Sequence, residues 1–243
     1  MPAGASNQPA DELIVAEDAA EHAAMAAELL GRAIHEAVQE RGRARLALSG
    51  GGTPLPAYRN LAAFDLPWER VEWFWVDERA VPPDHERSNY RAALAALGPV
   101  SARGRVHRME AEQDLDAAAT RYAATLRKSF GVAAAVAFDA MALGVGDDGH
   151  TASLFPGRAE VDVDDRLVVP VPAQSDKGLE ARLTLTAPVI HEARLALVLC
   201  AGSAKQPVVA AARAGGAERE VPARTIQRGR GRIVWLLDRA AAG

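Results

Sequence analysis

The sequence predicts a single α/β domain built on a mostly parallel sheet with helices on both faces. Three observations carry this. Short apolar runs alternate along the whole chain with longer stretches whose apolar residues recur at helical spacing. Several of those runs stop abruptly at glycine-containing polar turns, as strands do at the open edge of a parallel sheet. No internal repeat, and no linker rich in proline, glycine or serine, divides the 243 residues, a length that can enclose one large core. Residues 11–243 form this domain, and residues 1–10 are expected to be a flexible tail.

The elements follow in order. Leu13 to Val15 is a short strand, and Asp18 caps a helix from about Ala19 to Gln39 with Ala23, Ala27, Leu30, Ile34 and Val38 on one face. Leu46 to Leu48 is a second strand, and a helix carrying Tyr58 and Leu61 comes after the turn that ends it. Val71 to Val76 is a third strand, rich in aromatics, ending at Asp77-Glu78-Arg79. Beyond an irregular Pro82-Pro83 loop, Ser88 caps a helix through Leu97, and Asp114 or Asp116 opens another through about Phe130. The apolar residues Ala137, Phe138 and Met141 to Leu143 read as a buried strand. Strands at Leu167–Val171, Arg182–Thr186 and Leu195–Cys200 come next. Ser203 begins a helix, and Ile233 to Leu237 closes the chain as a last strand.

Composition narrows the class of function. The formal charge is −4, and no basic stripe interleaved with aromatics is present, which argues against nucleic acid as a partner. Met1 to Ala10 has neither the basic start nor the apolar stretch of a secretory signal, and no apolar run approaches a membrane span. The single cysteine, Cys200, sits in an apolar run and reads as a buried core thiol. A protein of the reducing cytoplasm, with no membrane partner, is expected. Lysine is scarce: Lys128, Lys177 and Lys205 stand among 28 basic residues, so a retained ammonium is a mild pointer to function.

Four segments can carry chemistry. Gly144-Val145-Gly146-Asp147-Asp148-Gly149-His150 places titratable groups directly after a buried strand, where parallel sheets bind ligands and where an imidazole can accept a proton near neutral pH. Ser49-Gly50-Gly51-Gly52-Thr53-Pro54 joins a strand to a helix. Its glycines permit close backbone approach, Thr53 suits the cap and Pro54 the first helical position, so free N–H groups and the helix dipole favour an anion. It lacks the Lys-Ser/Thr ending of a P-loop. Asp77-Glu78-Arg79 is either a solvated ion cluster or a place where Arg79 clamps an anion or polarises a carbonyl oxygen. Arg182 and Lys205, each beside a strand end or turn, are the remaining candidate cations. The G-x-G-x-x-G spacing at Gly144 does not signal a dinucleotide, because two aspartates inside the turn repel a pyrophosphate.

In combination these segments resemble the 6-phosphogluconolactonase family. The matching pieces are Leu48 to Pro54, Trp75-Val76-Asp77-Glu78-Arg79 with Val81-Pro82, Ser88-Asn89-Tyr90, and Gly144 to Gly157 with its Gly-His-Thr-Ala-Ser-Leu-Phe core. Arg182 to Thr186, Gly202 with Lys205, and Trp235 to Asp238 complete them. The resemblance implies a Rossmann-like fold and hydrolysis of 6-phosphoglucono-1,5-lactone in the oxidative pentose phosphate pathway. It implies that Gly50, Gly51, Gly52 and Thr53, with Arg182 and Lys205, hold the 6-phosphate. It makes His150 the base that takes a proton from water, with Asp148 orienting the imidazole or shaping the turn. Arg79 lies near the lactone or the phosphate, and Asp77 positions Arg79 or a sugar hydroxyl. The lactone is an activated ester, so no metal, cofactor or covalent nucleophile is expected. The only partner expected is the sugar-phosphate lactone, and the protein is a monomer or small homo-oligomer.

Two related readings are set aside. Glucosamine-6-phosphate deaminases share the Gly-Gly-Thr-Pro and Asp-Gly-His elements, but they carry Asn-Glu-Pro and Asp-Glu-Tyr where this chain has Leu154-Phe155-Pro156 and Asp77-Glu78-Arg79. A sugar-phosphate sensor has no need of a water-activating base. The chain departs from the family pattern at His191, where asparagine is frequent, and at Pro207, which fits the first turn of the helix after Ser203.

Overall fold

A computed structural model describes residues 11–131, 135–175 and 178–243. The expected tail at 1–10 and Lys177 lie outside the described residues. Ten strands occur among the described residues: β1 (Asp11–Ala16), β2 (Ala44–Leu48), β3 (Val71–Trp75), β4 (Asp77–Arg79), β5 (Arg105–Val106), β6 (Ala140–Leu143), β7 (Val168–Val171), β8 (Arg182–Leu185), β9 (Leu195–Cys200) and β10 (Arg232–Asp238). The helices are α1 (Ala19–Arg41), α2 (Pro54–Leu61), α3 (Asn89–Leu97), α4 (Leu115–Phe130), α5 (Ala187–His191), α6 (Gln206–Arg213) and α7 (Arg239–Ala242).

Seven strands form one sheet in the order β1-β10-β9-β6-β2-β3-β5, and every neighbouring pair is parallel. Its central strands are buried on both faces, which is why they read as unbroken apolar runs rather than alternating ones. Leu46, Leu48, Trp73 and Trp75 pack toward α1, α2 and α3. Ala47, Phe74, Met141 and Leu143 pack toward α4, α6 and a second, smaller sheet. After β2 the chain moves outward to β3 and β5; after β6 it moves the other way, to β9 and β10. The two strands lie side by side, so their outgoing loops diverge and leave a crevice between their carboxyl ends.

The parallel sheet with helices on both faces is as predicted, with four refinements. Asp77-Glu78-Arg79 does not end the third strand. Val76 donates to the Leu48 carbonyl at 3.0 Å in the large sheet and accepts from Leu185 N–H at 2.8 Å in the small one. The chain therefore changes sheets at Val76, and β4 pairs antiparallel with β8, which pairs antiparallel with β7. The helix expected from Ser203 starts as a 3-10 turn over Ser203–Lys205, and α6 begins at Gln206 with Pro207 in its first turn. Ile233 to Leu237 is strand, but α7 follows it, with Asp238 capping through a bond from Ala241 N–H at 2.8 Å. Two-residue β5 and five-residue α5 were too short for periodicity to announce. Where caps were predicted, Asp18, Ser88 and Asp114 each accept backbone N–H bonds at the expected helix starts.

Candidate active site

The crevice at the carboxyl ends of β2 and β6 is a cavity of about 240 Å³. That volume suits a ligand of sugar-phosphate size and is small for a dinucleotide. Every predicted site residue except Asp148 borders it: Gly50, Gly51, Gly52 and Thr53 from the β2–α2 loop, Asp77 and Arg79 from β4, His150, Arg182 from β8, and Lys205. Asp148 joins through His150.

The β2–α2 loop begins where the buried Tyr58 hydroxyl bonds both the N–H and the carbonyl of Ser49, at 3.2 and 3.1 Å, tying the helix back onto the strand end. Gly51 turns the backbone at φ +89, a conformation that costs a side-chain-bearing residue. Thr53 stands at the N-cap position but does not cap: its backbone is already helical (φ −68, ψ −44) and its hydroxyl bonds no helix N–H. The expectation of a threonine cap is corrected on that point. Pro54 at the first position supplies the fixed φ instead, leaving the threonine hydroxyl on the cavity wall.

The histidine turn is tightly determined. Gly146 and Gly149 bond across it, to the His150 carbonyl at 2.8 Å and from Gly149 N–H to the Gly146 carbonyl at 2.9 Å. His150 Nδ1 lies 2.5 Å from Asp148 Oδ1, which also accepts from the His150 backbone N–H at 3.1 Å. The hydrogen bond from His150 holds the Asp148 carboxyl below the ordinary aspartate value. With Nδ1–H donated to a carboxylate, Nε2 is the nitrogen that keeps a lone pair. The ring rests against Phe155, with centroids 4.5 Å apart, and against Gly146, where a Cβ would lie 2.1 Å from the imidazole. Ala152, on the same wall, is the sole non-glycine residue with positive φ among the described residues.

The cations differ in how they are held. Lys205 Nζ donates to the Val145 carbonyl at 2.7 Å and to Asp147 at 2.6 Å. Arg182 lies 3.6 Å from Asp77 and stacks over Phe155 with its guanidinium carbon 5.3 Å from the ring centre. Burial lowers its pKa, and the Asp77 carboxylate opposes that shift. Arg79 donates to the Asn89 carboxamide oxygen at 2.5 Å and to the Arg87 carbonyl at 2.7 Å. Asp77 thus lies in salt-bridge range of Arg182 and meets Arg79 through Asn89, whose carboxamide bonds both. Asp77 faces Asn89 and Ser153, whose hydroxyl donates to it at 2.6 Å. Arg79 Nε, Arg182 Nε and Ser49 Oγ are buried without a hydrogen-bond partner among the described residues, all three on residues lining the cavity.

Asn89, Ser153 and Phe155 were not among the predicted site residues. Ser88-Asn89-Tyr90 matches the family pattern and reads locally as a helix start, and nothing in it assigns a role to an asparagine that points back into a site ten residues earlier. Among the described residues, no group of three or more His, Cys, Asp or Glu side chains is arranged to hold a metal ion. No helix there is long and apolar enough to cross a membrane.

Known proteins resemble this chain over most of its length. A family model described as glucosamine-6-phosphate isomerases/6-phosphogluconolactonase matches residues 17–235, nearly the whole domain. The chain belongs to this family. A 6-phosphogluconolactonase of Synechocystis is 44% identical over 214 residues, covering 86% of this chain and 87% of its own. One from Mycobacterium tuberculosis is 40% identical over 229 residues, covering 90% and 92%. The solved structure of a 6-phosphogluconolactonase from Shewanella baltica superposes with a TM-score of 0.84 at 25% identity, covering 95% of this chain and 98% of that one. The matched span contains every family segment quoted above except the last three residues, Leu236 to Asp238.

Proposed function

We propose that the crevice hydrolyses 6-phosphoglucono-1,5-lactone to 6-phosphogluconate by direct attack of a water molecule, with His150 as general base. The chain is an enzyme of the lactonase branch of its family, on the strength of relatives named for that activity at high coverage. The observation that carries the mechanism is the Asp148–His150 pair on the wall of a cavity whose other walls bear a glycine loop and three cations. In this reading the glycine-loop N–H groups, the Thr53 hydroxyl, Arg182 and Lys205 hold the phosphate, and that anchor sets the distance from the lactone carbonyl to the imidazole.

Water attacks the carbonyl carbon as His150 Nε2 takes one of its protons. The imidazolium is stabilised by Asp148, and the carbonyl oxygen becomes negative in the tetrahedral intermediate. Collapse of the intermediate breaks the ring C–O bond, and the same imidazolium returns the proton to the departing ring oxygen. The sum is one water added and the base regenerated. Glucosamine-6-phosphate deamination requires a carboxylate base after the histidine, where this chain has Leu154-Phe155.

The test is a lactone-consumption assay on freshly generated substrate, corrected for spontaneous opening and run beside ammonia release from glucosamine 6-phosphate. Lactone loss without ammonia is expected. H150A should lower kcat by about 10²- to 10⁴-fold, the usual contribution of a positioned base. Ammonia release overturns the reading, and an H150A enzyme with wild-type kcat overturns the assignment of the base.

A further inference from the structure

Asn89 occupies the first position of α3, after its cap Ser88, and is 2% exposed. Its side chain satisfies three site groups at once. The carboxamide N–H2 donates to the Asp77 carbonyl at 3.0 Å and to the Asp77 carboxylate at 3.1 Å, while its oxygen accepts from Arg79 at 2.5 Å. The same oxygen lies against Gly50, where a Cβ would sit 1.8 Å away, so the glycine loop is shaped around it. Among side chains of this length only a carboxamide has donors for Asp77 and an acceptor for Arg79; aspartate lacks the first and leucine lacks both.

What holds Asn89 is Glu78. This buried carboxylate accepts from the backbone N–H groups of Arg79, Asn89 and Tyr90, each at 2.8 Å, and from the Ser88 hydroxyl at 2.9 Å. Burial raises its pKa and these four bonds oppose the rise. The carboxylate thus pins the start of α3 to β4, the strand that carries Asp77 and Arg79. Among the described residues the guanidinium has no carboxylate within salt-bridge distance, and the Asn89 contact and the Arg87 carbonyl set its direction.

We propose that Asn89 is a positioning residue for the reaction, acting through Arg79: it aims the guanidinium into the cavity from a mount built by Glu78. This rests on the lactonase reading above.

The experiment is a double-mutant cycle of N89A and R79A, measuring kcat and KM for lactone opening and affinity for 6-phosphogluconate by calorimetry. N89A should lower kcat/KM by about 10- to 100-fold, the scale of a misplaced catalytic group. In the R79A background the same substitution should change it less than about twofold, because a residue that acts through Arg79 has nothing left to aim. Losses that multiply in the double variant overturn the proposal, as does an N89A enzyme with unchanged kcat and KM. Because Glu78 anchors α3 through the backbone, N89A should fold, with a melting temperature lowered by several degrees for the unpaired Asp77 and Arg79 groups. Should it not fold, N89L fills the same volume without donor or acceptor and runs the same cycle. A wild-type enzyme without lactonase activity refutes the function and not this inference, which the calorimetric cycle then decides on its own.

Discussion

The two ends of the large sheet carry similar side chains with opposite accounts of their hydrogen bonds. At the amino end, Glu72 on β3 receives His107 at 3.0 Å, Ser129 at 2.9 Å and Arg43 at 3.2 Å, with Arg45 at 3.8 Å. Asp139, just before β6, receives Arg41 and the Arg45 backbone N–H at 2.9 and 2.7 Å, and Arg194 lies within 3.6 Å. Both carboxylates are buried, and both are saturated with donors. At the carboxyl end, the histidine, carboxylates and arginines border an open cavity and leave two guanidinium nitrogens and a serine hydroxyl unpaired. A buried charge cluster that closes on itself holds strands in register, whereas one whose charged groups border an open crevice can receive a ligand. Residue types alone do not separate the two; the cavity beside them does.

The contrast predicts a clean split between stability and activity. E72A leaves Arg45 and His107 beside a lost counter-charge in a partly buried site, and should destabilise the fold by about 3–5 kcal/mol. At the usual sensitivity of a domain of this size, that is a melting temperature lower by about 10 °C, with kcat unchanged. Acid gives the same cluster a signature. Burial pulls the Glu72 carboxyl up, but the hydrogen bonds from His107 and Ser129 and the charge of Arg45 outweigh it and leave it at about 2, against an ordinary value of 4.5. Its contribution is fully present above the unfolded value and is lost as pH falls from 4.5 toward 2. Unfolding curves across that range should show the loss in wild type and its attenuation in E72Q. A fall in kcat with unaltered stability in E72A would erase the distinction between the two ends.

At the other end the split should reverse. In G146A the new methyl would need the space of the His150 ring, 2.1 Å away, and would crowd Asp148 Oδ1 at 2.8 Å. The imidazole must swing out of its bond to Asp148, and a misaimed base costs on the order of 10²-fold in kcat. The melting temperature should move little, because the turn lies at the carboxyl rim of the central strands and its backbone bonds survive. An active G146A enzyme would mean that the ring position seen here is not the one that matters.

These two substitutions also mark how much was readable in the sequence. The parallel sheet, its helix caps and the glycine turns are local or periodic signals, and they appear where Leu46–Leu48, Ser88 or Gly144–His150 announced them. What failed depended on partners far along the chain. Asp77 and Arg79, two apart on β4, share one face, but the further partners of Asp77, Arg182 from β8 and Ser153, lie far along the chain, the latter 76 positions away. Thr53 has the residue type of a cap, yet Pro54 fixes the helix start and frees its hydroxyl. Asn89 stood in a family-matching segment without a role, because that role is defined by β4 and the Gly50 loop. Likewise Glu72, Asp139 and Arg45 carry no motif and were never candidates, although their chemistry matches that of the site.

The smallest expected effect tests whether the open end is free of internal competition. Lys205 is bound at 2.6 Å by Asp147, whose side chain is 79% exposed and does not border the cavity, whereas Lys205 does. An incoming phosphate and this carboxylate seek the same ammonium. An ion pair this exposed is worth about 0.2–1 kcal/mol, so displacing it costs the substrate at most a few-fold in affinity. D147N removes the competitor without changing side-chain length, and KM should fall by about two- to fivefold with kcat constant. The gain should shrink at high ionic strength, since salt screens the exposed pair in wild type as well. A KM that rises instead would mean that Asp147 holds Lys205 in its working position, making the carboxylate part of the cradle and extending to this corner the self-closing arrangement of the amino end.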